Sequence, residues 1–148
     1  KQYELEQAVS SGMMMFHNVT DAVSGNVVGD TRLLTDINTF TEFTKAKNSD
    51  FSLNQVIRVL DNIAIDIARL FNKQYLGKVQ NDSAGRLALW GDGVALFEEY
   101  ERVRAIQSFD EELLPIPKQG ETKTSVIWGF EIQPTCCMEK LYAQVIVA

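Results

Sequence analysis

The sequence is short of positive charge and of long apolar runs. Its 148 residues include 14 lysines and arginines against 20 aspartates and glutamates, which gives a net charge of −6. A surface that binds nucleic acid needs a basic stripe, so this deficit argues against nucleic acid as a partner. No apolar run approaches the length of a transmembrane span, and no signal peptide opens the chain. We therefore expect neither a nucleic-acid partner nor a membrane partner.

Histidine and cysteine are also scarce, which leaves little for catalysis or metal binding. The only histidine, His17, lies in a predicted strand, where a lone imidazole is more often structural than catalytic. Cys136 and Cys137 are adjacent, so we expect two reduced thiols and not a disulfide or a four-ligand metal set. The sequence has no Gly-rich phosphate loop, GxSxG elbow or HExxH motif. We predict no enzyme activity, catalytic residue, metal or cofactor, and keep a small thiol- or metal-dependent enzyme as an alternative.

Four aspartates remain as candidates for an acid–base or metal site: Asp61, Asp66, Asp82 and Asp92. The first two fall on roughly opposite sides of a predicted helix, so their carboxylates do not converge. We expect Asp61 and Asp66 to pair instead with Arg58 and Arg69, each three residues from its partner.

The best-specified local structure is a long helix over residues 53–76. Ser52 and Gln55 have the spacing of a capping box. Gly77 is placed to end the helix in a left-handed conformation. Apolar residues cover much of the helix, which predicts burial on more than one side. The main stripe at helical spacing consists of Val56, Val59, Leu60, Ile63, Ile67, Leu70 and Phe71.

A second helix is predicted from a cap at residue 81, 82 or 83 to about Ile106, with an exposed pair of Glu98 and Arg102. Its glycines, among them Gly93, indicate close packing or a bend. Its predicted buried stripe is Leu87, Trp90, Val94 and Phe97, extending to Ile106.

Strands are predicted on both sides of the helices, at residues 13–19, 30–40, 108–114, 125–133 and 141–147. The first two are expected to form a hairpin. This order predicts one α+β domain over residues 1–148, with two main helices packed on one face of a small mixed or antiparallel sheet. Because the chain begins with Lys1, we expect a fragment or a processed product.

The last predicted strand is apolar on both faces and must therefore be covered on both. A terminal strand can pair with a sheet in its own chain or in a neighbouring subunit. Two interpretations are open: a hairpin with residues 125–133, or donation to another subunit by an arm over residues 138–148. The strand consists of Leu141, Tyr142, Ala143, Gln144, Val145, Ile146 and Val147.

Four short motifs are spread along the chain in a defined order. They are Asp36-Ile37-Asn38-Thr39, Arg58 with Asp61 in the long helix, Tyr75-Leu76-Gly77-Lys78 with Asn81, and Met138-Glu139-Lys140-Leu141-Tyr142. In this order and spacing, and over nearly the whole chain, they resemble the C-terminal domain of contractile-phage tail sheath proteins.

The resemblance implies a structural subunit that assembles with itself into stacked hexameric rings around a tail tube and contracts to drive the tube into a cell. It implies terminal arms that exchange strands between subunits, with residues 141–147 as the candidate arm, and a structural role for Arg58 and Asp61. The implied partners are further copies of the chain, the tail tube protein, and baseplate and terminator proteins. The implied location is the virion tail, assembled in the bacterial host cytoplasm.

Family chains are longer, with an N-terminal arm and peripheral domains, which agrees with the expected fragment. A sheath-like subunit of a bacteriocin or another contractile injection system is the alternative within the same class. The candidate residues facing the tube are the cations around the end of the second helix and the loop after it: Arg102, Arg104, Lys118 and Lys123.

Overall fold

The structure is a computed structural model that describes residues 2–21 and 23–146. Its chain divides into two compact units, one formed by Lys1–Ile57 with Cys136–Ala148 and the other by Arg58–Thr135. Helices and small antiparallel sheets confirm the predicted α+β class. The single domain over residues 1–148 stays a prediction.

The first unit begins with helix α1 (Gln2–Ser10), which is followed by a turn at Gly12 with φ +77°. Strands β1 (Phe16–Thr20) and β2 (Val27–Leu33) follow as the predicted antiparallel hairpin, although both strands differ from their predicted bounds. Asp21 closes the turn by accepting hydrogen bonds from the N–H groups of Val23 and Ser24.

The predicted capping box is wrong. Ser49–Ser52 forms a 3₁₀ turn, in which the Ser52 hydroxyl donates to the Ser49 carbonyl at 2.6 Å. The side-chain oxygen of Gln55 accepts a hydrogen bond from the Cys137 N–H at 3.3 Å. The extra turn directs both side chains away from the reciprocal bonds that a capping box requires.

Helix α2 (Asn54–Leu70) continues through a π-helical turn (Phe71–Tyr75) and exits at Gly77, where φ is +68°. The position of the helix and its left-handed exit are therefore confirmed. Burial on more than one side is wrong for the single chain, because Ile65 is 47% exposed and Ala68 is exposed.

Helix α3 (Ser83–Arg102) is capped by Asp82, whose carboxylate accepts from the Gly85 N–H at 2.7 Å. The helix ends four residues earlier than predicted, and Leu87 is half exposed whereas Leu89 is buried. Gly93 confirms the prediction of close packing, because a Cβ at this position would collide with the Trp128 ring.

The core of the second unit lies around Phe97, which is fully buried. Its ring centroid lies 5.0 Å from that of Phe130 and 5.5 Å from that of Phe109. The other buried members of this core are Val59, Ile63, Val94, Ile106 and Leu114.

The predicted strand over residues 125–133 pairs only in part. Strands β3 (Lys118–Gln119) and β4 (Val126–Ile127) form a short antiparallel sheet. The ladder ends after these two residue pairs. Residues 128–133 keep the alternation of the predicted strand, because Trp128 and Phe130 pack against the core whereas Glu131 is exposed.

The other two predicted strands are wrong for the single chain. Residues 108–114 contain a 3₁₀ turn, Glu111–Leu113, capped by the Asp110 carboxylate. Residues 141–146 form no regular secondary structure, and Val147 lies outside the described residues. The backbone of a strand needs a neighbouring strand with which to form hydrogen bonds. Within the described residues, the arm pairs with neither sheet.

Candidate functional site

The most unusual surface in the described chain is the C-terminal arm, residues 138–148, of which 138–146 are described. Its apolar side chains stand almost wholly in solvent: Leu141 is 89% exposed, Tyr142 87%, Val145 90% and Ile146 80%. Contiguous exposed apolar surface of this kind marks an interaction site in a soluble protein. The arm therefore has the chemistry of a segment that is covered by a partner.

The chain is firmly held just before the arm. In the second unit, the Thr135 N–H donates to the Ala105 carbonyl at 3.0 Å, and the Thr135 hydroxyl donates to the Arg104 carbonyl. The Gln107 N–H donates to the Gln133 carbonyl at 3.0 Å. These hydrogen bonds fix the chain directly before the arm, as is required of a segment that links one subunit to another.

Two free, exposed cysteines stand between this fixed point and the arm. Burial raises the pKa of the Cys136 thiol, and the carboxylates of Asp50 and Glu139 raise it further. A raised pKa lowers the fraction of thiolate, the form that acts as a nucleophile. Cys136 therefore has the opposite of the environment that activates a catalytic cysteine.

Replacing both cysteines with serine should leave assembly unchanged. The expectation follows from their exposure and from the unfavourable environment of the Cys136 thiolate. Sedimentation and electron microscopy of the Cys136→Ser, Cys137→Ser protein beside the parent measure this. Loss of a catalytic activity in the double variant would instead revive the enzyme alternative.

Three of the four candidate aspartates, Asp66, Asp82 and Asp92, serve as structural acceptors. Asp66 accepts from the Tyr100 hydroxyl at 2.7 Å and pairs with Arg69 at 3.2 Å, so the predicted Asp66–Arg69 pair is confirmed. Asp92 accepts from the Tyr75 hydroxyl at 2.5 Å. Within residues 2–21 and 23–146, no three histidine, cysteine, aspartate or glutamate side chains group to hold a metal. The Asp66 and Asp92 carboxylates join α3 to α2 and to the π-helical turn after it.

The hydroxyls of Tyr75 and Tyr100 make the stability of the second unit depend on pH in the alkaline range. Burial, followed by the bonded carboxylate, raises the pKa of both Tyr75 and Tyr100 to about 12. The pKa of a tyrosine hydroxyl in the unfolded chain is about 10, below the value in the folded unit. Each hydroxyl therefore stabilises the folded unit fully below about pH 10, and this contribution is lost as the pH rises through about 12.

Replacing Tyr75 with phenylalanine should lower the free energy of unfolding by about 1–2 kcal/mol at neutral pH, because a hydrogen bond to a carboxylate is lost. It should also weaken the loss of stability between about pH 10 and 12. Urea unfolding followed by circular dichroism at neutral and alkaline pH measures both effects. Tyr3→Phe is the matched control, since Tyr3 is 71% exposed; equal effects at both positions would contradict the account.

Two of the sequence motifs fasten loops to helices. The Asn81 side chain donates to the carbonyls of Lys123 and Ser125 at 2.9 and 2.8 Å, and its oxygen accepts from Arg86. In the first unit, the Asn54 side chain donates to the Asp36 carboxylate at 2.8 Å. Both motifs are therefore structural.

The motif of Arg58 and Asp61 lies on α2, where both residues are exposed. Its structural role stays a prediction.

The four candidate tube-facing cations all lie in the second unit and are exposed. Arg102 pairs with Glu99 at 2.6 Å, so the predicted pair with Glu98 is wrong. Three residues is the shorter of the two helical spacings that place side chains side by side. Contact of Arg104, Lys118 and Lys123 with a tube stays a prediction.

No helix among the described residues is long and apolar enough to cross a membrane.

The fold is that of tail sheath proteins. It matches the sheath tail protein of Desulfitobacterium hafniense with a TM-score of 0.69 and 28% identity, over 80% of this chain and 26% of that chain. It matches the sheath tail protein Lin1278 of Listeria innocua with a TM-score of 0.71 and 24% identity, over 90% of this chain and 30% of that chain. The chain thus spans under a third of these relatives.

The chain belongs to the phage tail sheath C-terminal domain family, whose model matches residues 46–148. This confirms the resemblance drawn from the motifs. A comparison with curated proteins gave no match. Membership of the family gives the chain a structural role in a phage tail sheath and a location in the tail.

Proposed function

We propose that this chain is the part of a contractile sheath subunit through which copies of the subunit are joined. The subunits assemble into stacked hexameric rings around a tail tube, exchange strands between neighbours, and contract to drive the tube into a cell. Further copies of the chain, the tube protein, and baseplate and terminator proteins are the partners. Assembly takes place in the cytoplasm of the bacterial host.

The observation that carries the proposal is the exposed C-terminal arm. An isolated soluble subunit gains nothing from holding Leu141, Tyr142, Val145 and Ile146 in solvent, because each buried apolar side chain contributes about 1.5–3 kcal/mol. A neighbouring subunit that covers the arm recovers this free energy. It also supplies main-chain hydrogen bonds of about 1 kcal/mol net each.

Strand exchange also explains how rings can move without separating. The hydrogen bonds of Thr135 fix the chain before the arm, and residues 136–140 form no regular secondary structure. This linker can change direction while the paired strand stays in place. Stored free energy then lies in an extended lattice with fewer contacts between subunits than the contracted lattice, and no nucleotide is consumed.

Negative-stain electron microscopy of the full-length protein tests this function. The expected result is hollow, transversely striated tubes of uniform width. A preparation that stays monomeric over the range of salt and protein concentration at which it remains folded would contradict the proposal.

A further inference from the structure

The second unit has an apolar pocket beside the π-helical turn, with a volume of about 290 Å³. The rings of Phe71 and Tyr75 in this turn stack with their centroids 6.4 Å apart, and π-helical turns are frequent at functional sites. The volume lies at the lower limit for small-molecule sites, about 300 Å³, so the pocket suits one apolar side chain. Its apolar lining consists of Phe71, Tyr75, Leu76, Val79, Leu89 and Val126.

Two cations, Arg86 and Lys123, also line the pocket and have donors to spare. The Arg86 Nη1 group donates to the carbonyl and to the side-chain oxygen of Asn81, at 3.1 Å in each case. The Nε and Nη2 groups of this half-buried guanidinium donate to no acceptor among residues 2–21 and 23–146. Lys123 is exposed and forms no ion pair in the described chain. An apolar pocket with unpaired positive charge is complementary to an apolar group flanked by carboxylates.

The 3₁₀ turn Glu111–Leu113 presents such a group on the surface of the same unit. Leu113 is 79% exposed, the largest fraction among the large apolar side chains described in this unit. Glu111 and Glu112 precede it, and neither forms an ion pair within the described residues. Among the exposed large apolar side chains that the structure describes, Leu113 alone has two carboxylates within two positions along the chain.

The turn that carries Leu113 is held in place by the unit itself. The Asp110 carboxylate accepts from the Glu112 N–H at 2.9 Å, and the Trp90 indole N–H donates to the Leu114 carbonyl at 2.9 Å. Leu114 is buried. A surface group that is already fixed loses little conformational freedom on binding, which favours its use as an anchor.

We propose that the apolar pocket receives Leu113 of a second copy of this chain. The two carboxylates before Leu113 then lie beside the guanidinium of Arg86 and the ammonium of Lys123. The inference rests on the proposed self-assembly and names one contact within it. On this assignment Lys123 faces a neighbouring subunit and not the tube.

The contact joins two different surfaces of the chain. Leu113 does not fill the pocket of its own copy, because it is 79% exposed and the pocket lining includes none of residues 110–114. Each copy therefore offers its turn to one neighbour and its pocket to another. Contacts of this head-to-tail kind generate closed rings or helical assemblies.

Exchange of the charges in full-length protein tests the contact. Lys123→Glu alone should raise the protein concentration needed for tubes about tenfold, because like charges then meet across the contact. Adding Glu111→Lys or Glu112→Lys should restore assembly in at least one of the two combinations. Lys45→Glu is the matched control at an exposed lysine of the first unit. Combined with the same glutamate variants, it gives the same net charge and should not restore assembly.

Cysteine cross-linking of the assembled protein tests the geometry. In a Cys136→Ser, Cys137→Ser background, Leu113→Cys with Val79→Cys should give, after mild oxidation, disulfide-linked dimers, trimers and longer products. The ladder is expected because each copy uses both surfaces. Leu113→Cys with Ile127→Cys is the matched control and should give at least about tenfold less product. Ile127 is 61% exposed and does not line the pocket.

The outcomes separate this inference from the function on which it rests. Tubes that form normally from the parent, with neither charge rescue nor cross-links, would overturn the contact and leave the proposed function standing. Cross-linked products that stop at the dimer would overturn it as well, because they would indicate a symmetric contact. If Lys123→Glu weakens only co-sedimentation with the tube protein, the pocket faces the tube and the inference is wrong. A parent protein that forms no tubes would overturn the proposed function and the contact together.

Discussion

Removing residues 141–148 from the full-length protein is expected to abolish tube formation and to leave a folded, soluble subunit. The described residues of the arm contribute nothing to the core, because Leu141, Tyr142, Val145 and Ile146 are at least four-fifths exposed. Their loss therefore costs the single subunit little stability. Assembly loses its apolar contacts and a row of main-chain hydrogen bonds of about 1 kcal/mol each.

Two measurements together test this prediction. Electron microscopy reports the tubes, and thermal unfolding reports the fold of the truncated subunit. A point variant sharpens the result: Val145→Pro should block assembly because proline removes an N–H from the strand, whereas Val145→Thr keeps the N–H and the β-branched shape. Tubes of normal abundance from the truncated protein would show that the arm does not join subunits.

Phe97→Ala is expected to have the largest effect on folding. The Phe97 ring is fully buried and lies 5.0 Å, centroid to centroid, from Phe130 and 6.4 Å from Trp128. Truncation leaves a cavity that the surrounding rings fill only in part, at a cost of about 3–5 kcal/mol. This is a large share of the roughly 5–15 kcal/mol that stabilises a typical domain.

Urea unfolding of the Phe97→Ala protein, followed by tryptophan fluorescence, measures this loss. Leu87→Ala is the matched control on the same helix, because Leu87 is half exposed. We expect it to cost less than about 1 kcal/mol. Similar losses for the two variants would mean that the core is not centred on Phe97.

The helices could be predicted because their signals are local. The apolar stripe of α2, a cap for α3 among residues 81–83 and the left-handed exit at Gly77 each depend on residues within a few positions of one another. The position of the π-helical turn at Phe71–Tyr75 had no such signal. Tertiary packing decides whether the last turn of a helix widens.

The contacts that fix the core could not be predicted in the same way. Tyr100 and Asp66 are 34 residues apart, and Trp128 reaches Gly93 from a different segment. Alternation did place Trp128, Phe130 and Ile132 on one face, and the structure confirms it. It did not show that the ladder would end after two residue pairs.

The arm is the clearest case in which the sequence pattern and the single chain differ. Two apolar faces indicate a strand that is covered on both sides, yet residues 141–146 have no regular structure and stand in solvent. The apolar pattern of residues 141–147 indicates the surroundings of this segment when a partner covers it. Under the proposed strand exchange, the arm becomes a covered strand only when subunits assemble, which explains the difference.

Electron cryomicroscopy of the assembled tubes is the most direct measurement of how subunits are joined. The account predicts continuous density from Thr135 of one subunit to a strand at residues 141–147 that is paired with a sheet of a neighbouring subunit. An arm that folds back onto its own subunit, or that has no ordered density within a well-resolved tube wall, would contradict it.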